Sequence, residues 1–399
     1  DLPQKKRLLP DQTVSTVNTT SRRRFLHNVT GTAAALGVST GFTPTYLRAQ
    51  GANDDLRIAV IGFNSKGGGH ISGLIQQPGV RLVGLCDADQ AVIDKWVNKL
   101  KNNSNLSPKT YTDYRKLCED PEVDAVIIAT PNHLHTVIAM TAIANGKHVY
   151  VEKPVSHNIW EGRKLVEAAA ARPGIIVQHG MQRRSDGGWR EAHAWLKEGH
   201  LGKILCSRGL CYKKRPSIGK VDGPQIPPKT LDYDLWSGPR EIKPLMRQRF
   251  HYDWHWQFDY GNGDLGNQGP HQTDVAAWML DNAGIPARVV SLGGRFGYKD
   301  DGNTANTQVC IYEYDDGTPP IIFEVRGLPA KDMKWGQVPA YIIGKAGTRV
   351  GNVIHCEGGY IVESKAYDND GNEIKRFNAD GGGRHQQQWI ESLRAGKPV

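Results

Sequence analysis

A lysine that follows the end of a predicted apolar strand is the residue of this chain best placed for acid–base chemistry. Lys153 lies in the run Val149 to Val155, whose apolar residues Val-Tyr-Val predict a buried parallel strand. About ninety residues earlier a second apolar run, Leu56 to Ile61, leads straight into a glycine-rich turn at residues 62–69. A nucleotide pocket that receives a lysine from the end of a later parallel strand indicates hydride chemistry at a hydroxyl-bearing carbon.

The glycine-rich turn has most of the features of a dinucleotide-binding turn. In such a turn the first glycine makes the bend, the second admits the pyrophosphate and the third packs helix against strand. Gly62 and Gly67 take the first and third positions, and Asn64, which tolerates left-handed backbone, takes the second. The cofactor contacts predicted from the turn are Gly62, Phe63, Asn64, Ser65 and Gly67. A purely structural glycine turn is the alternative.

An aspartate at the end of the second predicted strand strengthens the nucleotide interpretation. Asp87 follows the strand Val80 to Cys86. A carboxylate there accepts hydrogen bonds from the ribose hydroxyls of the adenosine and repels a 2′-phosphate. The cofactor predicted is therefore NAD, with NADP as the alternative because Lys66 is a basic group within the turn.

Strands and helices alternate through the first half of the chain, which predicts a parallel sheet with right-handed crossovers. The predicted strands are Leu56–Ile61, Val80–Cys86, Val123–Ala129, Lys147–Val151 and Ile175–Gln178. The predicted helices are Gly68–Gln77, Asp89–Lys101, Leu134–Asn145 and Ile159–Ala171.

Beyond residue 180 short strands dominate, which indicates an open, mostly antiparallel sheet. The predicted strands are Ile204–Tyr212, Ala287–Phe296, Thr307–Tyr314, Pro320–Arg326, Ala340–Ile343 and Tyr360–Glu363, and the helices are Gly188–Gly199, Asp264–Leu280 and His385–Ala395. The fold class predicted is α/β, with a Rossmann dinucleotide-binding domain at residues 55–180 and an α+β open-sheet domain at 181–399. Because the chain stops at Val399 just after a helical stretch, we expect the natural sequence to continue.

The positive charge of the chain is concentrated in its first fifty residues. The formal net charge is +9, and residues 1–50 carry seven Lys or Arg against two Asp. The remainder is close to neutral, which argues against a nucleic-acid partner. No apolar run is long enough to span a bilayer as a mature helix, so no stable membrane insertion is expected after export.

Residues 1–54 resemble an export leader. Ser21-Arg22-Arg23-Arg24-Phe25-Leu26 precedes a mildly apolar stretch of small residues from Val29 to Phe42. Paired arginines before such a stretch are typical of a twin-arginine signal, which predicts a periplasmic or secreted location. A disordered basic tail or a short membrane-surface helix is the alternative.

The six cysteines show no CxxC pair and no Cys/His ligand spacing, so neither a metal site nor a catalytic cysteine is expected.

Several segments together resemble the glucose–fructose oxidoreductase/inositol dehydrogenase/rhizopine-catabolism family. They are Gly62–Gly67, Asp87, Ala129–His135 (ATPNHLH), Gly146–Val149, Glu152-Lys153-Pro154 and Gly269-Pro270-His271. The resemblance implies oxidation or reduction of sugars and cyclitols with NAD(P), and an open sheet that carries the substrate and a homo-oligomer interface. It also places Thr130, Asn132 and His135 near the nicotinamide and Lys153 against the substrate. Glu152, counted among the cofactor contacts, is either an orienting group or a simple ion-pair partner.

His271 is the expected partner of Lys153 in proton transfer. The family usually has an aspartate four residues before this histidine, whereas this chain has Asn267. On one helix that spacing places both side chains on the same face. An amide can orient the ring but adds no negative charge, so His271 should be neutral more of the time. A core histidine packed against Trp278 is the alternative.

Other substrate contacts are predicted around this histidine. The aromatic segment Phe250 to Tyr260 includes Trp254 and His255, and aromatic faces beside polar groups hold sugar rings; an aromatic core loop is the alternative. Further candidates are Asn267, Asp264 and Arg184, the last of which follows the fifth predicted strand. Solvated charge is the alternative for Arg184.

The function predicted is an exported, NAD-preferring oxidoreductase that acts on a secondary hydroxyl of a sugar, cyclitol or glycoside. The first alternative is an NAD-dependent glycosidase or lyase that oxidises its substrate transiently, with no net redox change. The second is a sensing protein that keeps the fold without turnover.

Overall fold

The computed structural model describes residues 55–328 and 340–397. All of them belong to one compact unit. The predicted leader, residues 1–54, lies outside the described residues, as does the predicted end at Val399.

The first sheet has six parallel strands in the order β3-β2-β1-β4-β5-β6. They are β1 Leu56–Ile61, β2 Val80–Cys86, β3 Lys109–Tyr111, β4 Ala125–Ile128, β5 His148–Val151 and β6 Val177–His179. The strand order reverses between β1 and β4, which is where ligands bind in an open parallel sheet. All five strands predicted in this half are present, and the predicted Rossmann fold is confirmed.

Helices cover both faces of this sheet. They are α1 Lys66–Leu74, α2 Gln90–Ser104, α3 Tyr114–Glu119, α4 Asn132–Ala144 and α5 Ile159–Ala170. Asp89 and Asn158 cap α2 and α5 through side-chain oxygens that accept backbone hydrogen bonds. The short β3 and α3 were not predicted, because a three-residue strand carries too little pattern to be recognised.

The second sheet has eight strands in the order β16-β15-β14-β13-β7-β10-β9-β8. They are β7 Ile204–Cys211, β8 Arg288–Gly294, β9 Thr307–Glu313, β10 Ile321–Arg326, β13 Val350–Cys356, β14 Gly359–Val362, β15 Lys365–Asp368 and β16 Glu373–Arg376. β10 pairs with β7 in parallel and every other pair is antiparallel, which confirms the predicted open sheet. A separate hairpin joins β11 Tyr341–Ile343 to β12 Ala346–Thr348.

The helix predicted over Asp264–Leu280 is two helices. α9 spans Gly263–Asn267 and α10 spans Gly269–Met279, with Pro270 in the first turn of α10. Proline lacks the N–H that a continuous helix would need and disfavours helical backbone in the preceding residue. The single helix was therefore a wrong prediction.

The remaining helices all follow β6 in the chain. They are α6 Gly187–Lys197, α7 Tyr233–Ser237, α8 Phe250–Asp253 and α11 His385–Ala395, with 3₁₀ turns at Gln182–Ser185 and Trp254–Trp256. Although α11 lies at the end of the chain, its Trp389, Ile390 and Leu393 pack in the core of the first sheet. The first domain is thus completed by residues far outside the range 55–180 predicted for it.

Among the described residues, none of the helices combines the length and the apolar character needed to cross a membrane.

Candidate active site

A cavity of about 500 Å³ opens at the carboxyl ends of β1, β2, β4 and β5. One wall comes from the first sheet and its loops. The opposite wall comes from the second domain, chiefly from the segment after β7 and from residues 251–271. The switch point of the parallel sheet therefore lies at the junction of the two domains.

The glycine turn forms the floor of this cavity, and at Gly62 and Gly67 no larger residue fits. Gly62 has φ 77°, and a Cβ on it would lie 2.8 Å from the Thr130 backbone nitrogen. A Cβ on Gly67 would lie 2.0 Å from the Gly62 carbonyl oxygen. Phe63, Asn64 and Ser65 line the cavity, whereas Gly67 packs α1 against the turn, as the third glycine of such a motif should.

Asp87 lies on the cavity wall beside the turn. Its carboxylate accepts hydrogen bonds from the backbone N–H groups of Phe63 at 3.2 Å and Asp89 at 3.1 Å. Burial is the largest influence on this group and raises the pKa of Asp87 to about 6. Asp87 lines the cavity, where a carboxylate would accept hydrogen bonds from ribose hydroxyls.

These features fit a dinucleotide: a glycine cradle that a Cβ would fill, the amino end of α1 beside it, and a carboxylate at the end of β2. Thr130, Asn132 and His135 continue the wall toward Lys153. The His135 ring nitrogens lie 2.6 Å from the Pro154 carbonyl oxygen and 2.7 Å from that of Thr130, so this buried ring joins two strand ends.

Glu152 is buried, and its carboxylate contacts three polar side chains. Its Oε1 lies 2.8 Å from His70 Nε2, 3.2 Å from Gln182 Nε2 and 3.8 Å from Lys66 Nζ. Burial alone would raise the pKa of this carboxyl, but the hydrogen bond from His70 and the nearby lysines lower it to about 2. Glu152 lines the cavity and lies near the Lys66 ammonium, while its role as an orienting group or an ion-pair partner stays a prediction.

Lys153 reaches across the domain junction. Its ammonium donates to the backbone carbonyl oxygen of Asn267 and lies 3.3 Å from Asn267 Oδ1. Burial is the main influence and lowers the pKa of Lys153 to about 8, although Glu152 and Asp264 oppose the shift. A lysine in this range exchanges a proton readily near neutral pH.

The break between α9 and α10 makes this contact possible. In a continuous helix the Asn267 carbonyl would accept the N–H of His271, four residues on. Here the His271 N–H bonds to the Gln268 carbonyl at 3.2 Å instead. The Asn267 carbonyl is therefore available to Lys153, and Pro270 is the sequence feature that causes this.

His271 lines the cavity near Lys153. Its Nδ1 is buried and has no hydrogen-bond partner among the described residues. Burial, with a smaller contribution from the Lys153 charge, lowers the pKa of His271 to about 4, so the ring is neutral at physiological pH. Trp278 does not pack against it as the alternative required; it lies against His193, with ring centroids 5.7 Å apart.

The aromatic segment supplies a flat wall opposite Lys153. The rings of Trp254 and His255 stack with centroids 3.7 Å apart, and both residues line the cavity. His255 Nδ1 lies 2.6 Å from the Tyr252 carbonyl oxygen and must donate to it, which leaves Nε2 as an acceptor. This surface pairs an aromatic face with a hydrogen-bond acceptor.

Two predicted substrate contacts do not line the cavity. Arg184 forms a two-pronged ion pair with Asp274, with both N–O distances 2.7 Å, and lies over the Trp278 ring. Asp264 is 1% exposed and is held by the Arg215 guanidinium at 2.7 and 2.9 Å. Each charge has a partner distant in sequence, which the local pattern did not reveal.

Lys213, Arg215 and Gln182 line the cavity but were not predicted. A signal was present for the first two, because the basic run Lys213-Lys214-Arg215 follows the end of β7. Gln182 gave no comparable signal.

Comparison with known proteins agrees with this architecture. Residues 56–180 match the model described as "Oxidoreductase family, NAD-binding Rossmann fold", and residues 206–349 match "Oxidoreductase family, C-terminal alpha/beta domain". Fold and site thus define a two-domain, NAD-binding oxidoreductase class. The chain belongs to the glucose–fructose oxidoreductase/inositol dehydrogenase/rhizopine-catabolism family.

Curated relatives match only part of the chain. Inositol 2-dehydrogenase of Salmonella typhimurium is 28% identical over 185 residues, which are 45% of this chain and 52% of that protein. Glycosyl hydrolase family 109 protein 1 of Shewanella sp. (strain MR-4) is 35% identical over 118 residues, 29% of this chain and 26% of that protein. The matches therefore span about a quarter to a half of these relatives' lengths.

Two solved structures share the fold over most of the chain. GenD2 from gentamicin A biosynthesis, in complex with NAD, has a TM-score of 0.60 at 21% identity, over 90% of this chain and 91% of that one. Apo scyllo-inositol dehydrogenase from Lactobacillus casei has a TM-score of 0.59 at 17% identity, over 87% and 90%.

Proposed function

We propose that this protein is an NAD-dependent oxidoreductase acting on a secondary hydroxyl of a sugar, cyclitol or glycoside. The observation that carries the proposal is the position of Lys153, which is partly buried, lines the cavity and has its pKa lowered to about 8. The match to inositol 2-dehydrogenase supports the substrate class.

The residues present account for cofactor binding and for proton transfer. The 62–65 turn and Asp87 would hold NAD, which supplies the hydride acceptor or donor when bound. In the oxidation direction, the neutral Lys153 amine accepts the proton of the substrate hydroxyl, and in reduction its ammonium returns one. Asn267 holds the amine in place, and the neutral His271 ring lines the cavity beside it, where it would contact the substrate.

The preference for NAD over NADP is part of the proposal. A 2′-phosphate adds about two negative charges and would meet Asp87 at close range. Lys66, the basic group of the turn, has its ammonium 3.8 Å from Glu152 Oε1. That contact directs Lys66 toward the Lys153 end of the cavity.

A second candidate is an NAD-dependent glycosidase, because relatives named as glycosyl hydrolase family 109 proteins are 33–39% identical to this chain over 116–120 residues. Replacement of the usual aspartate by Asn267 leaves room for this chemistry. Both reactions begin by oxidising a hydroxyl carbon, so they require the same site.

Product stoichiometry separates the two candidates. A panel of sugars, cyclitols and aryl glycosides is incubated with protein and NAD, and NADH absorbance and released aglycone are measured together. A dehydrogenase forms one NADH per oxidised product, whereas a glycosidase releases the aglycone with no net NADH. Aglycone release without NADH would reject the main proposal.

We also propose export through the twin-arginine pathway with the cofactor already bound. The supporting features are the Arg22–Arg24 run and the absence of an NAD pool outside the cytoplasm. Protein purified without added NAD should then contain about one nicotinamide nucleotide per chain, measured after acid release. Cofactor-free protein that binds NAD only weakly would contradict cofactor loading before export, and a cytosolic fraction would contradict export itself.

We further propose that copies of this chain associate through the open sheet. Val289 and Leu292 on the edge strand β8 are 53% and 73% exposed, which favours a covering partner. Light scattering should report an oligomer, and Leu292→Lys should shift it toward monomer. A monomeric unmodified protein would contradict this proposal.

A further inference from the structure

A chain of polar side chains, two of them buried, links the last described helix to Lys153. Gln386, in the first turn of α11, places its Nε2 3.1 Å from Nδ1 of His70 on α1. The other nitrogen of that ring, Nε2, lies 2.8 Å from Glu152 Oε1. His70 is 5% exposed and Glu152 4% exposed, so solvent does not satisfy these groups.

The hydrogen-bond pattern defines the tautomer of His70. Gln386 Nε2 faces both the His70 backbone carbonyl oxygen, at 3.3 Å, and His70 Nδ1. A carbonyl oxygen only accepts, so the amide nitrogen is the Gln386 atom at this position, and Nδ1 must accept as well. The ring proton is therefore on Nε2, from which His70 donates to the Glu152 carboxylate.

Glu152 is the point where this chain meets the lysine. Its Oε2 accepts a hydrogen bond from the Lys153 backbone N–H at 3.3 Å. A Cβ on Gly180 would lie 3.1 Å from the Glu152 side chain, so a larger residue there would displace the carboxylate. The Glu152 carboxylate is thus held in one place, next to Lys153 in the chain and bonded to its backbone.

We propose that His70 and Gln386 are positioning residues that, acting through Glu152, set the proton affinity of Lys153. This inference rests on the proposed role of Lys153 and adds α11 to the active site. The charged or titratable groups that face Lys153 are Glu152, Asp264, Lys213, Lys66, His271, His135 and His255. Of these, Glu152 has the largest favourable electrostatic effect on the ammonium, so it is the group through which a remote residue acts most strongly.

Two substitutions should shift the Lys153 titration in opposite directions. His70→Leu removes a donor from Glu152, leaves the carboxylate charge less compensated and favours the ammonium, so the pKa of Lys153 should rise by about half to one unit. Gln386→Glu places a carboxylate against Nδ1, which favours a doubly protonated His70 ring that compensates Glu152. The pKa of Lys153 should then fall by a similar amount.

The titration is measured on the full chain without any turnover. Competitive acetylation with acetic anhydride across a pH series, quantified at Lys153 by mass spectrometry, reports the reactive amine fraction. His70→Gln, whose amide can still donate to Glu152, should restore most of the unmodified behaviour. Gln387→Leu is the matched control, because Gln387 is the next residue on α11 and its amide contacts Glu391 on the surface.

Opposite shifts with an unchanged control would support the inference, since loosened packing would move both variants the same way. Shifts of one sign, no shift in Gln386→Glu, or an equal shift in Gln387→Leu would overturn it. If His70→Leu does not fold, Gln386→Glu and the control decide alone. Absence of dehydrogenase turnover alongside intact titration shifts would reject the proposed function and leave this inference standing.

Discussion

The two ends of the cavity each hold a carboxylate, and the two carboxylates behave in opposite ways. Burial raises the pKa of Asp87 to about 6, and the hydrogen bonds from two backbone N–H groups offset only part of that shift. Glu152 is also buried, yet the hydrogen bond from His70 and the charges of two lysines lower its pKa to about 2. Burial by itself therefore does not decide the state of a carboxylate; its side-chain partners do.

The difference also separates two uses of a buried acid. Glu152 is satisfied from within the protein, by His70, Gln182 and the Lys153 backbone. Asp87 retains acceptor capacity toward the cavity, where a ligand with hydroxyl groups would complete its coordination. The Glu152 end of the cavity is therefore pre-organised by the protein, whereas the Asp87 end is completed by the bound ligand.

The largest expected effect is at the pre-organised end. Lys153→Ala should lower turnover by about two to four orders of magnitude, the usual loss on removing a general acid or base. NAD binding should persist, because the 62–65 turn and Asp87 are untouched. Steady-state kinetics with the substrate found in the panel, together with NAD titration by fluorescence, test both statements. Undiminished turnover would refute the assignment of Lys153.

Glu152→Gln tests whether the partners of this carboxylate stabilise the fold. The folded-state pKa of about 2 lies below the ordinary value of 4.5, so the stabilisation is present above pH 4.5 and is lost as pH falls toward 2. The substitution should lower the unfolding free energy by about 2–4 kcal/mol at pH 7, and the difference should narrow below pH 4.5. Urea unfolding at both pH values measures it, with exposed Glu167→Gln as the control; a pH-independent difference would contradict the linkage.

Asp87→Ser addresses the ligand-completed end. Removal of the negative charge should narrow the preference for NAD over NADP by about tenfold or more, because like charges in a partly buried site cost a few kcal/mol and each 1.4 kcal/mol is tenfold. Dissociation constants for both nucleotides are compared with those of Asp94→Ser, an exposed aspartate on α2. If the unmodified protein binds NADP as well as NAD, Lys66 outweighs Asp87 and the interpretation of β2 is wrong.

The smallest expected effect is the pH dependence of NAD binding. Because the pKa of Asp87 is raised to about 6, the carboxylate is ionised above that pH and becomes protonated below it. A protonated carboxyl accepts the ribose hydroxyls less well, so NAD affinity should fall by up to about tenfold between pH 7 and pH 5. Asp87→Asn should flatten this dependence. The same fall in both proteins would assign the titration to another group.

The local parts of this site could be predicted because each depends on neighbouring residues. The strand and turn up to Gly67, the aspartate after β2 and the lysine after β5 follow from short patterns that the backbone must satisfy within a few residues. Five residues predicted for the site line the same cavity: Lys153, Asn267, His271, Trp254 and His255. The central strand β13 was missed because Gly351 and Asn352 weaken its strand pattern, and its pairing with β7 overrides that preference.

The amino-acid sequence by itself determined the parallel sheet, the dinucleotide turn, and the carboxylate and lysine at the strand ends, because local patterning and strand geometry position them. Only the tertiary structure decided which charges remain available. Arg184 forms an ion pair with Asp274, 90 residues away in sequence, and Asp264 forms one with Arg215, 49 residues away. Neither charge is therefore available to a substrate. Gln386 meets His70 across 316 residues, a pairing that no local pattern encodes. The whole fold brings such partners together, and a buried charge such as Asp264 is retained only where it has a partner of this kind.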